Sequence, residues 1–469
     1  MTKNFVSDTL RAPLDKKPPL AVQAVLFLLA TAVFYAFAVS ARYAVLDEFS
    51  DYRIAELTRI TAIVYTAIFA IAYGVQLRVG RRLSLDVQIL LGVITGAVIL
   101  AKISLLDYVS DDYTIFLSDW IYSYSQLGIK EGLGTYIGSD YTPPYLYLML
   151  LVSRFKNFPW QYLVKAISIL TDVLLGYAVM KLCSLRVKGD GARLLVFHIA
   201  GILPTVVFNG AYWGQCDAIY TSFCLLALYM GLTKRPVRSM IFFGVALSFK
   251  LQTVFFLPVL LPLWLRRDIG LRHVLLIPAA YMAMMIPALW GGKSLHHVLT
   301  VYAQQAGTYN FITVNAPNLY QFLPQEMDRA TLYTMFGPMA MTLGFAFLAG
   351  VCALLCARRD SITEDGVLLA CVLMLAGVPY FLPKMHERYT FGADVLSLVL
   401  AIYKPRRIAL PLLFGFASYL AYTAGLPGDA VMDLKWAAMF QLAGILLTAA
   451  ELWRSLNGRS AANVAEVKA

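Results

Sequence analysis

The sequence predicts an all-α, polytopic integral membrane protein of about fourteen transmembrane helices. Three observations carry that reading. Hydrophobic residues make up 59% of the chain and charged residues 14%, where soluble domains carry about 25% charged residues. Apolar runs of ~20 residues, the length a helix needs to cross a bilayer, recur throughout. The apolar–polar alternation of a β-barrel strand is not seen.

Leu20 to Val39 is too long for a secretory signal and lacks a clear cleavage site, so it reads as the first span. Spans are expected at 20–42, 57–79, 87–106, 160–183, 194–209, 216–232, 239–251, 253–265, 273–290, 331–356, 365–381, 391–403, 407–424 and 434–453. Those at 239–251, 253–265 and 391–403 are short and read as tilted, broken or partly re-entrant, which is tolerated where protein or a water cavity buries the backbone.

Charge between the runs sets the topology. Lys16 and Lys17; Arg78, Arg81 and Arg82; Arg186 and Lys188; Lys234, Arg235 and Arg238; Arg266 and Arg267; Arg358 and Arg359; Lys404, Arg406 and Arg407; and Arg454 and Arg459 all fall on one side of a fourteen-span chain. That side is read as the cytoplasm, with both termini there. The loops 43–56, 107–159, 210–215, 291–330, 382–390 and 425–433 then face outward. This requires Tyr145 to Phe155 to be a surface helix anchored by Arg154 and Lys156. The net charge of +11 is thus a topology signal. No basic face with interleaved aromatics exists, which excludes nucleic acid as a partner.

The six cysteines, Cys183, Cys216, Cys224, Cys352, Cys356 and Cys371, lie mostly in or at the ends of apolar runs. They read as small packing residues; Cys352 and Cys356 share a helix face without a nearby His. His296-His297 lacks a third ligand pattern, and His198 and His273 carry no signal, so no metal is expected. Lys102 and Lys165 read as snorkelling lysines. No P-loop, GxGxxG or GxSxG fingerprint stands out.

Candidate chemistry begins in Asp107 to Tyr145, a polar, aromatic and acidic segment with Asp107, Asp111, Asp112, Asp119 and Asp140. Ile115, Phe116, Trp120, Tyr124 and Leu127 fit a helix lying along the interface, with Asp112 at its N-terminal end. A partly desolvated carboxylate there can serve as a general base; a helix N-cap is the alternative. Trp213-Gly214-Gln215-Cys216-Asp217 offers hydrogen-bonding groups beside an aromatic surface, the parts of a sugar site; a tight capped turn is the alternative. Lys250, in Phe249-Lys250-Leu251-Gln252, lies among apolar residues at membrane depth and suits an anionic partner. Lys384, His386 and Arg388, with Glu387 and Tyr389, make an anion cradle, with an ordinary charged turn as the alternative. Asp172 is a mid-span acid, either a packing residue or a site wall.

A glycosidase needs two carboxylates because an alkoxide is a poor leaving group. A sugar already attached to phosphate needs one base and cations for the departing phosphate. Nucleotide sugars are absent from the outer side, so the expected donor is a lipid-linked phosphosugar.

These motifs carry a resemblance. Asp112-x-x-x-Phe116 with Trp120, Asp140-Tyr141-Thr142-Pro143-Pro144 (a DYPP element with Thr142 inserted), Trp213 to Asp217 (WGQxD), Phe249 to Gln252 (FKxQ), His386-Glu387-Arg388-Tyr389 (HERY) and Asp172 stand in matching order. The chain thus resembles GT-C-type, polyprenyl-phosphate-sugar-dependent glycosyltransferases across roughly residues 87–400. It is most similar to bacterial proteins related to the GPI-anchor second mannosyltransferase, and more distantly to dolichyl-phosphate-glucose-dependent glucosyltransferases. The resemblance implies an inverting hexosyltransferase for mannose or glucose, with an aspartate base and neither metal nor other cofactor. The partners implied are a polyprenyl-phosphate sugar donor, a glycolipid or lipid-linked glycan acceptor, and membrane lipids. The implied location is the bacterial inner (plasma) membrane, with the site on the periplasmic side. Residues assigned by it are Asp112 or Asp111 as base; Lys250, His386, Arg388 and Lys384 on the donor phosphate; and Asp140, Tyr141, Trp213, Gln215, Asp217, Gln252, Glu387 and Asp172 on sugar or acceptor.

Three regions are expected: 1–86, a cytoplasmic tail and an extra transmembrane hairpin; 87–290, the catalytic module with the outer loop 107–159; and 291–469, the outer loop 291–330 and the C-terminal helices. The extra hairpin departs from relatives with one preceding span but preserves topology. The competing classes are a lipid-linked oligosaccharide flippase or transporter, which favours internal repeats not seen here, and an O-antigen-type polymerase or ligase. The latter leans on Arg and His in its large outer loop, and 291–330 is poor in Arg, with Arg329 alone.

Overall fold

The computed structural model describes residues 18–46, 52–308, 310–324, 326–426 and 430–467; Lys16 and Lys17 lie outside them. The chain opens with α1 (Leu20–Leu46), α2 (Tyr52–Val79) and α3 (Leu85–Ile103). Short helices α4 (Ser118–Ser125), α5 (Ile129–Gly134) and α6 (Pro143–Val152) come next. Then come α7 (Trp160–Cys183), α8 (Asp190–Gly201), α9 (Pro204–Val207), α10 (Asp217–Leu232), α11 (Pro236–Phe249) and α12 (Leu260–Leu265). The rest are α13 (Leu276–Trp290), α14 (Leu295–Thr308), α15 (Arg329–Ala357), α16 (Glu364–Phe381), α17 (Phe391–Tyr403), α18 (Ala409–Gly425) and α19 (Leu434–Val467). The strands among the described residues are two parallel pairs of residues, β1 (Thr313–Val314) and β2 (Met385–His386).

The protein is an all-α polytopic membrane protein. Among the described residues, 9 helices are long and apolar enough to cross a bilayer, and up to 10 if the pair Asp190–Gly201 and Pro204–Trp213, bent by 57°, is one span. The other expected spans, 216–232, 239–251, 253–265 and 391–403, coincide with shorter apolar helices. Helix α6 has 10 residues, about 15 Å at 1.5 Å per residue, roughly half a hydrocarbon core.

Chain contacts define two compact units, Met1–Ile121 with Val152–Ala218, and Tyr122–Leu151 with Ile219–Ala469. In the first, Phe34 and Phe69 stack at 4.5 Å in a core shared by α1, α2, α3, α7 and α8. Gly92 lets the Tyr73 ring lie on α3, since a Cβ there would sit 3.0 Å from it. Polar groups inside this core find one another: Gln76 Nε2 donates to Thr95 Oγ1 at 2.7 Å, and Thr95 Oγ1 meets the His198 ring at 3.0 Å.

The two lysines expected to snorkel do not. Lys102 and Lys165 are each 3% exposed. Lys102 Nζ lies 2.6 Å from Asp172 Oδ2. Lys165 Nζ donates to the carbonyls of Leu105, Leu106 and Tyr108 at 2.8, 3.1 and 2.7 Å, closing the end of α3. An ammonium with such acceptors at hand need not reach the interface.

In the second unit α16 is the central helix, with 89% of its apolar stretch buried against 22% for α15. Small residues permit this: a Cβ on Gly377 would lie 2.2 Å from the Phe347 ring. Arg407, 3% exposed, ties α16 to α19 through Asp365 at 2.5 Å and Glu451 at 2.9 Å. The expected outer loop 291–330 contains secondary structure among its described residues. It holds α14 and β1, and β1 pairs Val314 with His386. All six cysteines are free.

Candidate functional site

The first unit presents a built carboxylate. Ser110 begins the helix: Tyr113 N donates to its carbonyl at 3.0 Å and its hydroxyl at 3.3 Å. Asp112 is already helical (φ −58, ψ −34) and its side chain makes no cap hydrogen bond. The capping role weighed for Asp112 therefore belongs to Ser110. Asp112 Oδ2 instead accepts Gln215 Nε2 at 2.5 Å. Asp111 is exposed, and Asp112 is half-buried.

The backbone on both sides of that contact is π-helical: Tyr113–Leu117 comes directly after Asp112, and Phe208–Trp213 precedes Gln215. Such turns are rare and concentrate at functional sites. The two meet at several points. Tyr108 and Tyr212 stack at 3.8 Å, and Ser110 Oγ donates to the Trp213 carbonyl at 3.3 Å. Gly214, left-handed at φ 82, closes the second turn, and Gln215 N returns to the Asn209 carbonyl at 2.9 Å. Asn209 Nδ2 donates to Asp217 Oδ2 at 2.8 Å, and Asp217 is wholly buried. Gln215 is thus fixed through its backbone as well as its amide.

The π turn also explains a difference from the expected interfacial helix. Trp120 and Tyr124 are buried but Ile115 and Phe116 are exposed. An extra residue in the turn rotates the helix beyond it, so one apolar stripe becomes two. Asp107 belongs to the scaffold: Arg42, 1% exposed, grips it at 2.8 and 3.1 Å, and Tyr162 donates to it as well. Burial pulls the Asp107 pKa up, but the bonds from Arg42 and Tyr162 outweigh that and hold it below the usual carboxylate range. Asp119 is exposed.

The second unit gathers cations. Helix α11 ends at Lys250, whose backbone is extended (φ −153, ψ 136). Lys250 is 2% exposed and its Nζ lies 6.0 Å from the Tyr220 ring centre. Thr142, the residue inserted in the DYPP-like element, donates to the Ser248 carbonyl at 2.7 Å and so holds the helix end beside Lys250. Burial, then the charges of Arg388 and Lys250, push the His386 pKa well below its ordinary value, so the ring is neutral beside two cations. Arg388 Nη1 lies 3.4 Å from Glu387 Oε1. Gln252 is 4% exposed, and its Oε1 accepts no hydrogen bond from the described residues.

Other expected groups have contacts of their own. Lys384 donates to Asn310 at 3.1 Å and lies over the Tyr333 ring at 4.9 Å. Tyr141 stacks against Tyr145 at 4.9 Å, next to the half-buried Asp140. Asp172 is buried, 3% exposed, and paired with Lys102. The sequence reading missed Ser110, Tyr108, Tyr220 and β1. Ser110, just before the acids, was a visible cap signal; the others had none.

The first unit thus orients a carboxylate between two unusual turns, and the second, taken by itself, sets cations around a neutral histidine. Residues 140–383 match the model of glycosyltransferase family 87, more than half of the chain, and the protein belongs to that family. The matched stretch includes Asp140, Trp213, Gln215, Lys250 and Gln252; Asp112 and the 384–389 segment lie outside it. The chain is also similar to GPI mannosyltransferase 1 of Candida albicans, 25% identical over 158 residues. That alignment covers 33% of this chain and 37% of the relative.

Proposed function

We propose that the protein transfers a hexose, mannose or glucose, from a polyprenyl-phosphate donor to a glycolipid or lipid-linked glycan acceptor. The reaction inverts the anomeric carbon at the outer face of a bacterial inner membrane. Asp112 takes the proton of the acceptor hydroxyl as its oxygen bonds to the anomeric carbon. The bond from that carbon to the phosphate oxygen breaks, and polyprenyl phosphate leaves. Lys250 and Arg388 stabilise its charge, neutral His386 donates a hydrogen bond to it, and Lys384 steers it from the rim. Asp140, Tyr141, Trp213, Gln252 and Glu387 hold sugar or acceptor. Gln215 and Asp217 set the base and its loop, and no cofactor takes part.

Family membership and the mannosyltransferase relative support glycosyl transfer. The observation that carries the choice of base is the 2.5 Å bond from Gln215 to Asp112, on a carboxylate that caps nothing. The test is transfer of radiolabel from polyprenyl-phosphate-mannose or -glucose to a membrane lipid extract by purified protein with EDTA present. Asp112→Asn is expected to abolish transfer while staying folded. Transfer surviving in Asp112→Asn but lost in Asp111→Asn moves the base by one residue. No transfer from either donor, with flipping of a lipid-linked glycan in liposomes, replaces the reading by a transporter.

A further inference from the structure

Asp172 and Lys102 form a salt bridge at 2.6 Å, their side chains 3% and 4% exposed, within two membrane-spanning helices. Burying such a pair is expensive, and apolar residues of similar volume often serve stability as well. Its neighbour shows what it does. A Cβ on residue 210 would lie 2.6 Å from Asp172 Oδ2, 3.1 Å from Oδ1 and 3.2 Å from Cγ. The carboxylate therefore fills the place of a side chain on Gly210, inside the π turn Phe208–Trp213. Gly210 is one step from the site: its carbonyl accepts Gly214 N at 3.0 Å, and the preceding Asn209 carbonyl accepts Gln215 N at 2.9 Å.

We propose that Asp172, held by Lys102, is a positioning residue that seats the π turn at Gly210 and through it aims the Gln215 amide at Asp112. A π turn is locally weak and persists where its surroundings over-determine it. A fixed charge at Gly210 supplies that constraint from the helix beneath. Asp172 Oδ1 accepts no hydrogen bond from the described residues and lines a cavity of about 30 Å³ with Thr95 and His198. There is room there for a water, so the seat can be completed without a substrate group. The inference rests on Asp112 being the base, and it replaces the sugar contact expected for Asp172.

The experiment uses full-length protein in lipid nanodiscs, with Asp172→Asn, Gly210→Ala, Gln215→Ala and the double variant Asp172→Asn/Gln215→Ala. Hydrogen exchange of amides 208–216 is read first, without any assay of transfer. Asp172→Asn is expected to speed it at least tenfold while α7 elsewhere keeps its protection. Gly210→Ala, which pushes on the same contact from the other side, is expected to do likewise should Asp172→Asn fold poorly. Transfer is read second. Asp172→Asn is expected to lower kcat about tenfold to a hundredfold, the effect of small misplacements, with KM unchanged. The double variant is expected to lose no more than Gln215→Ala alone, because both act through one amide. Unchanged exchange in both single variants overturns the proposal, as does a double variant whose loss is the product of the single losses. Faster exchange with full transfer in Gln215→Ala and Asp112→Asn sinks instead the reading of Asp112 as base.

Discussion

Replacing Gln215 by glutamate puts a second carboxylate where an amide now touches Asp112 at 2.5 Å. The side chains are nearly isosteric, so packing of the buried residue 215 is kept and the hydrogen bond becomes a like-charge contact. With charge centres about 4 Å apart, the repulsion is about 4 kcal/mol at an effective dielectric of 20 and about 1 kcal/mol in water. Residue 215 is 5% exposed and Asp112 half-buried, which places the site toward the larger figure. Two carboxylates at that distance relieve the strain by sharing a proton, and a base holding a proton cannot accept another.

Gln215→Glu is therefore expected to lower transfer at pH 7 about a hundredfold, with partial recovery as pH rises and the shared proton leaves. Gln215→Ala removes orientation without adding charge, so its loss of about tenfold to a hundredfold stays flat with pH. The assay is initial rate of label transfer from lipid-phosphate hexose between pH 6 and 9. Wild-type rate and profile in Gln215→Glu would refute the pairing of Gln215 with a catalytic Asp112. So would a pH recovery in Gln215→Ala as large as in Gln215→Glu.

Other sites give shorter tests. Thr142→Val removes a hydrogen bond of about 1 kcal/mol from the end of α11; KM for the donor is expected to rise about fivefold with kcat kept, and an unchanged KM separates Thr142 from Lys250. Asp107→Asn leaves the Arg42 charge, 1% exposed, without its counter-charge, whereas Arg42→Met leaves a carboxylate 40% exposed to water. Asp107→Asn is expected to cost about 3 kcal/mol in thermal unfolding and Arg42→Met less; loss of transfer in Asp107→Asn without loss of stability would return Asp107 to the site. His386 has its folded pKa depressed, so the unfolded chain binds its proton first as pH drops through about 6.5. Its contribution is present above that pH and lost below it. His386→Asn is accordingly expected to flatten the fall of melting temperature between pH 7 and 5, and an unaltered fall would show that the ring titrates normally.

Legibility from sequence divides by the physics of each feature. Spans were readable because bilayer solvation is a property of composition: α1, α2, α3 and α7 fall within a few residues of the expected ranges. The motif residues were readable because polar side chains amid apolar runs are costly and so stand out; Gln215 and Lys250 were found in this way. What a side chain meets was not readable. Asp107 and Asp112 look alike in an acidic segment, and only the partners Arg42 and Gln215 separate scaffold from candidate base. Lys102 and Lys165 look like any lysine near a span end, yet an acid in the first case and three carbonyls in the second keep them inside. The π turns were invisible because no residue propensity encodes one; they arise from tertiary constraint. The pairing of β1 with β2, a contact between segments about seventy residues apart, rests on a register that two-residue strands do not advertise.

The first unit places its charges in two layers with opposite tasks. Below, Lys102 and Asp172 are dry and neutralise each other, so their contribution is geometric and insensitive to salt. Above, Asp112 accepts the Gln215 amide at 2.5 Å. A lysine or arginine in place of the Gln215 amide would hold the carboxylate more tightly, but it would also make it a weaker base, because stabilising the charged form lowers the drive to take a proton. An amide orients with less loss of basicity. Its weaker hold then has to be made up by a rigid backbone, and the return of Gln215 N to the Asn209 carbonyl, with Asp172 filling the notch at Gly210, supplies that rigidity away from the base. With Asp112 as the proposed base, the ion pair at Gly210 would set its position and leave its proton affinity alone.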